Sequence, residues 1–294
     1  MMVRCSAVVY LVVVLAVMGC SAAVSDAAEV VVVGDTQLKP VVEIISGIRK
    51  TLDAPIKTYS PAEVKGRLKS VVRDEDAKVV VTLGREALAE AMALPPNIPV
   101  IFDLIVTPPP ITRPNTTGFY LATPVREYGD LVRNHIHAIK RMAVVGSHDQ
   151  LKLLGKADPE QVSSYSVASP VEFVETVKHL KTTDAIILLP DIRLLTSAAL
   201  EQAYLVSFRK GIPLLGISER HVKEGALLAL VVDMVNVGKQ IGEYASNALR
   251  GVNLGQIQPS PPRKFELYVN ASTARKMGIP LSTEVIRMAK RVYQ

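Results

Sequence analysis

A chain of 294 residues, 49% of them apolar, holds enough core-forming side chains for two domains of ordinary size. No low-complexity stretch argues for disorder. The net charge of +6 is mild and its cations are scattered among acidic residues; aromatics make up 5% and tryptophan is absent. A stripe of cations with stacking rings, the footprint of a nucleic-acid surface, is therefore not expected.

Residues 1–28 read as an export leader. Arg4 charges the n-region, and Ala7–Met18 is an unbroken apolar run, short of the roughly 20 residues that a membrane span needs. Two ways of cutting it stay open. Val17-Met18-Gly19-Cys20 resembles a lipobox, which would make Cys20 an acylated amino terminus and a lipid anchor. Ordinary cleavage after Ala23 or Ala27 would leave an unanchored periplasmic protein. Cys5 and Cys20 are the two cysteines of the chain and both lie in the leader. The exported part then enters an oxidising compartment with no disulfide and no thiolate metal site.

Glu29–Val33 predicts a first strand, ending at Gly34-Asp35, and Pro40 opens a helix to about Leu52. The turn V-G-D-T-Q-L lacks the further glycines of a dinucleotide loop, so no nucleotide cofactor is implied. A strand over Ile56–Tyr59 is followed by Ser60 as N-cap and Pro61 at the first position of a helix running to about Arg73. Lys78–Thr82 is a third strand that turns at Leu83-Gly84 into a helix carrying Arg85 and Glu86 in its first turn. Arg85 there would suit an anionic ligand group, or would be a solvated side chain paired with Glu86 or Glu90. Ile98–Phe102 is a fourth strand ending at Asp103. Pro108–Pro110 and Pro114 then mark a loop that cannot continue a sheet, and Asn115–Tyr120 leads to a first crossing between lobes.

The pattern then restarts. Pro124–Lys140 is helical and Arg141–Gly146 is a strand; Ser147–Asp158 is polar with little periodicity. Gln161–Val167 alternates like a strand and Pro170–Leu180 is a helix. D-A-I-I-L-L-P-D (184–191), the helical run Leu195–Lys210, G-I-P-L-L-G-I-S-E (211–219) and the apolar run Ala226–Val232 follow. Short buried runs alternating with helices are parallel strands of βαβ units, and such sheets hold ligands just beyond the strand carboxyl ends. The helix after Asn236 places Val237, Ile241, Tyr244, Ala245 and Ala248 on one face, with Gly251 as its stop. A proline-rich connector over 258–263, a strand Phe265–Val269 and a short helix capped by Asn270 or Ser272 complete the chain. The expected architecture is α/β: two Rossmann-like lobes whose parallel sheets face a central cleft. Lobe 1 would comprise 29–119 and 235–262, and lobe 2 would comprise 120–234 and 263–294.

No catalytic or metal signature stands out. His135 and His137 point to different helix faces, and His148, His179 and His221 lie near no ligand-spaced partners. The motifs G-x-S-x-G, H-E-x-x-H and G-x-x-x-x-G-K-[ST] are missing. Carboxylates at strand ends, Asp35, Asp103, Asp191, Glu219 and Asp233, could form a hydrolase acid/base pair, fix a ligand's amino group, or cap the helices that follow. Asp191 and Glu219 are favoured as ligand contacts because they flank one expected cleft.

I-P-V-I-F (98–102), P-N-T-T-G (114–118), D-A-I-I-L-L-P-D (184–191), G-I-P-L-L-G-I-S-E (211–219) and V-K-E-G-A-L-L-A-L (222–230) together resemble ABC-transporter substrate-binding proteins of the tryptophan/tyrosine type. Asp233–Gly251 and Tyr268–Pro280 extend the likeness, which covers about Val30 to Arg291. The resemblance implies a type I periplasmic-binding-protein fold and a non-catalytic receptor, without cofactor or metal. Such a receptor closes two lobes on a small molecule, amino acids among the possibilities, and docks on a permease. It places Thr82, Gly84 and Arg85 on the family's T-x-G-[TS] loop, with Arg85 where a small hydroxyl residue is usual. Thr107-Pro108 stands where members often carry Asp-Pro, and Ser147-His148 where a longer Asn/Ser-rich loop begins. Asp191, Ser218 and Glu219 match by position. With Asp35, these make the candidate ligand set. A periplasmic sensor signalling to a membrane protein, and an exported hydrolase using paired carboxylates, remain as alternatives.

Overall fold

The computed structural model describes residues 28–107, 110, 112–154 and 161–294. The leader through Ala27, with Cys20, and Pro108 lie outside the described residues. Near-continuous runs of branched apolar residues build the first sheet: β1 (Val30–Val33), β2 (Ile56–Tyr59), β3 (Val79–Leu83), β4 (Val100–Asp103) and β5 (Thr116–Gly118). All are parallel, in the order β2-β1-β3-β4-β5. Because β1 and β3 are buried on both faces, each takes valine at nearly every position rather than alternating with polar residues.

One face of this sheet, with Val30, Val32, Val79, Val81 and Ile101, packs on α1 (Lys39–Ile48) through Val41, Ile44 and Ile48. The other, with Val31, Val33, Val80 and Phe102, packs on α2 (Pro61–Val64), α3 (Leu68–Asp74) and α4 (Arg85–Ala91). Each such side chain taken fully out of water contributes about 1.5–3 kcal/mol. The single helix expected from Pro61 to Arg73 is therefore two. Ser60 and Glu63 form a complete capping box at its start, but the chain turns at Gly66, whose φ of +68° favours glycine. β5 was not expected either: T-T-G is too short to show a period, and it earns its place by pairing with β4.

The second sheet comprises β6 (Met142–Gly146), β7 (Val162–Ser166), β8 (Ala185–Ile187), β9 (Leu214–Gly216), β10 (Leu228–Val232), β11 (Phe265–Asn270) and β12 (Arg291–Tyr293). Their order is β12-β11-β10-β9-β8-β6-β7. Its helices are α5 (Val125–His135), α6 (His148–Lys152), α7 (Pro170–His179), α8 (Ser197–Lys210) and α9 (Glu219–Glu224). Strands β6 to β10 run parallel as expected, whereas β11 runs antiparallel to β10. The segment before β11 comes from the first sheet and enters beside the exit of β10, so the strand must run back along it. The polar stretch after Ser147 folds as α6, and the tail adds α12 (Thr283–Met288) and β12.

The backbone passes between the two layers three times: after β5, at Asp233, and over 257–264. At the second passage the Asp233 carboxylate accepts the Asn236 N–H (2.9 Å) and starts α10 (Met234–Leu249), which returns to α1. A short helix, α11 (Ala271–Lys276), is capped by Asn270. No helix among the described residues is long and apolar enough to cross a membrane.

Candidate functional site

Among the described residues, the strand carboxyl ends of the two sheets come together where the loop leaving β4 meets α6. Gln150, buried on α6, donates from Nε2 to the Thr107 hydroxyl (3.1 Å) and more weakly to the Val106 carbonyl (3.5 Å), both in the loop leaving β4. Thr107 is thus an interlayer contact in this structure.

In the second layer a cavity of about 380 Å³ opens at the ends of β6, β7 and β8. Ser147, His148, Asp149, Ser166, Glu172 and Arg193 supply its polar lining, with Val167 and Leu194 beneath. Asp191 lies under it, only 5% exposed. Its Oδ1 accepts the Arg193 backbone N–H at 3.1 Å and faces the guanidinium Nε at 3.4 Å. Arg193 in turn reaches the Ser147 hydroxyl through Nη2 (3.4 Å). Burial pushes the Asp191 carboxyl up, but the Ser147 hydroxyl and Arg193 outweigh it, so the group sits below the ordinary carboxylate range. Asp191 therefore acts as an anionic seat that orients Arg193, and it is the arginine that faces solvent. Glu172 accepts the Ala168 N–H through Oε2 (2.8 Å).

Ser218 and Glu219 do not join this group. Ser218 Oγ accepts the His221 N–H (3.2 Å) and caps α9, which is the helix-capping role weighed for strand-end residues. The Glu219 carboxylate turns to the sheet's far strand, where Tyr293 donates a short hydrogen bond, Arg291 lies at 3.0 Å and Lys223 at 3.3 Å. The Tyr293 hydroxyl, with the two cations, holds it down to about 2. In this structure Glu219 is held by Tyr293, Arg291 and Lys223 and does not line the cavity above Asp191.

In the first layer Asp35 is partly exposed and accepts the Gln37 N–H through Oδ1 (2.9 Å), shaping the entry to α1. Thr82 is fully buried, and its hydroxyl has no hydrogen-bond partner among the described residues. Gly84, at φ +108°, donates its N–H to the Asp103 carbonyl (2.9 Å) and delivers Arg85 to the first turn of α4. Arg85 is exposed and makes no hydrogen bond or ion pair among the described residues, so the pairing with Glu86 or Glu90 is not formed. Asp103 is entirely buried with neither carboxyl oxygen hydrogen-bonded, and burial pushes it up to about 7.

Sequence reasoning did not single out Arg193, Gln150 or Ser166. For Arg193 a signal was present, since P-D-I-R places a cation two residues past a strand-end aspartate, within reach of an Asx-type turn. Gln150 lay in a stretch with no readable period. Among the described residues no cluster of three His, Cys, Asp or Glu could hold a metal ion.

Several solved structures share this architecture. A conserved domain protein from Vibrio cholerae superposes with a TM-score of 0.61 at 17% identity, covering 90% of this chain and 99% of that one. The ABC domain from Streptococcus pneumonia in complex with L-Trp gives 0.60 at 18% identity, with the same coverages. The ligand-free, open substrate binding protein with adhesive properties from Clostridium difficile gives 0.69 at 13% identity, covering 91% and 99%. At such identities they show the fold alone, two facing α/β layers of the type I periplasmic-binding-protein kind. No curated protein matches this sequence. Residues 69–293, however, match the family described as ABC transporter substrate binding protein, and the chain belongs to that family.

Proposed function

We propose that the protein is an exported receptor that delivers a small solute to an ABC permease. It would do so by closing lobe 1 (29–119 with 235–262) and lobe 2 (120–234 with 263–294) on that solute. The observation that carries this reading is the hydroxyl- and guanidinium-lined cavity at the ends of β6–β8, beside the contact of Gln150 with Thr107 of the first layer. A solute touching both lobes binds the closed form better than the open one, and that difference drives closure. The permease reads the closed form. The leader places the receptor outside the inner membrane, with Cys20 as the lipid attachment point where the lipobox is used. Of the candidate residues, Arg85, Thr107 and Ser147 act as contacts, and Asp191 acts through Arg193. Thr82, Gly84 and Asp35 shape the first lobe's rim.

Native mass spectrometry of the gently purified mature protein tests this. One small molecule per chain is expected, together with an amino-terminal mass that identifies the cleavage at Cys20, Ala23 or Ala27. A chain that carries no solute and gains none from a periplasmic extract would contradict the reading.

A further inference from the structure

The two sheets repeat one another. The order β2-β1-β3-β4-β5 in the first is matched, strand for strand and in direction, by β7-β6-β8-β9-β10 in the second. Under that correspondence β3 is the equivalent of β8. The chain leaves β3 through Gly84-Arg85 and leaves β8 through the segment that reaches Asp191-Ile192-Arg193, so each lobe carries an arginine at the exit of the same strand. Both arginines are exposed, and Arg193 lines the cavity. Arg85 has no partner among the described residues. Arg193 spends Nε on the buried Asp191 and grazes Ser147 with Nη2, and its Nη1 has no partner among the described residues.

We propose that Arg85 and Arg193 form the two jaws of an anion clamp and that the solute is a small dianion, a dicarboxylate or a phosphate ester. This rests on the receptor reading above and sharpens it. A guanidinium presents a planar fork of donors that fits a carboxylate or a phosphate two bonds at a time. Two such cations brought together across a closing cleft repel each other, so closure without an anion between them is opposed. A dianion reverses the sign and supplies the difference in affinity between open and closed forms. Ser147, Ser166 and His148 add donors around Arg193.

The acidic groups nearby do not reverse this. Asp191 is already bound to Arg193 and Glu172 to the Ala168 amide, which leaves Asp149 as the carboxylate on the cavity wall without such a bond. An aromatic amino acid fits the lining less well. No phenyl, phenol or indole ring stands in it to stack on a side chain.

Calorimetric titration of the mature chain with succinate, glycerol phosphate and inorganic phosphate tests the clamp, with L-tryptophan and L-tyrosine as comparators. At least one anion should bind, and the succinate and phosphate arms separate the two chemistries. Arg85→Gln and Arg193→Gln should each weaken it about tenfold or more, the loss of one charge-assisted pair. Arg85 is exposed and unpaired among the described residues, so Arg85→Gln should keep the parent's melting temperature; Arg193→Gln leaves the buried Asp191 without its cation and should lower it, so both variants are titrated at a temperature where circular dichroism shows them folded. Binding of an anion that neither substitution weakens would overturn the clamp. So would tight binding of tryptophan, tyrosine or another uncharged solute that survives both substitutions, and this result would leave the receptor reading intact. Failure of every compound to bind, together with no co-purifying solute, would remove both.

Discussion

Gln150 and Thr107 join the two layers: the amide Nε2 of one lies 3.1 Å from the hydroxyl of the other, across the gap between the β4 loop and α6. On the receptor reading proposed above, a bond between the layers forms when they approach and so favours the closed form. A neutral bond of this kind is worth about 0.5–1.5 kcal/mol. Gln150→Ala should therefore weaken solute binding several-fold while leaving the denaturant midpoint within error of the parent. Calorimetry and urea unfolding on the same preparation check both halves.

The pairing of α1 with α10 depends on glycine. A Cβ on Gly238 would stand 2.1 Å from the Ile44 carbonyl oxygen and 2.9 Å from the Gly47 Cα, and one on Gly47 would stand 2.2 Å from the Val235 oxygen. Backbone lies on both sides, so no rotamer change relieves the contact. Gly238→Ala should cost at least about 1–3 kcal/mol, more than the better helix propensity of alanine returns. A lowered melting temperature with unchanged secondary structure content would report it.

Asp103 predicts a pH dependence of stability. Its folded carboxyl is pushed up to about 7 from the ordinary 3.8, so between those values the folded chain keeps a proton that the unfolded chain has lost. Stability is then fullest below about pH 4, falls as pH rises toward 7 and levels off above it. At about 1.4 kcal/mol per pK unit, the loss is at most ~4 kcal/mol. Asp103→Asn should flatten that slope and raise stability in mildly alkaline buffer, read from urea unfolding at about pH 5 and about pH 8.

Tyr128 ties the helix after the first crossing to the second sheet. Its hydroxyl accepts the Leu230 N–H (2.7 Å) and donates a short hydrogen bond to the Gly216 carbonyl; Tyr128 and Gly216 are buried and Leu230 is partly buried. Tyr128→Phe preserves the ring but leaves the buried Gly216 carbonyl and the partly buried Leu230 N–H without this partner, a loss of about 1–3 kcal/mol. Amide exchange at Leu230 should accelerate more than exchange within β1.

The strands were legible wherever burial on both faces forced an unbroken apolar run, as in Val30–Val33 and Val79–Val81, and the Ser60 cap was legible from residue type, while the structure selects Asn270 over Ser272 and capping among the roles open to Asp233. What could not be read were features defined by a distant partner. Gly238 looks like a weak point in a helix until Ile44 lies against it. Thr116–Gly118 and Arg291–Tyr293 are too short to show a period and exist through pairing with β4 and β11. The last of these carries the tyrosine and arginine that hold Glu219, partners the sequence does not reveal. Asp191 stands out by its position after a strand, but its partner Arg193, the group that lines the cavity, does not.

The chain's two cysteines, Cys5 and Cys20, both precede residue 28, so labels can be placed at will from there on. Exposed Ala89 on α4 and exposed Lys178 on α7, changed to cysteine and spin-labelled, report the separation of the two layers. With a solute that calorimetry shows to be bound, the distance distribution should shorten, on the order of several ångströms, and narrow to one population. A distribution unchanged by bound solute would contradict closure as the protein's mode of action.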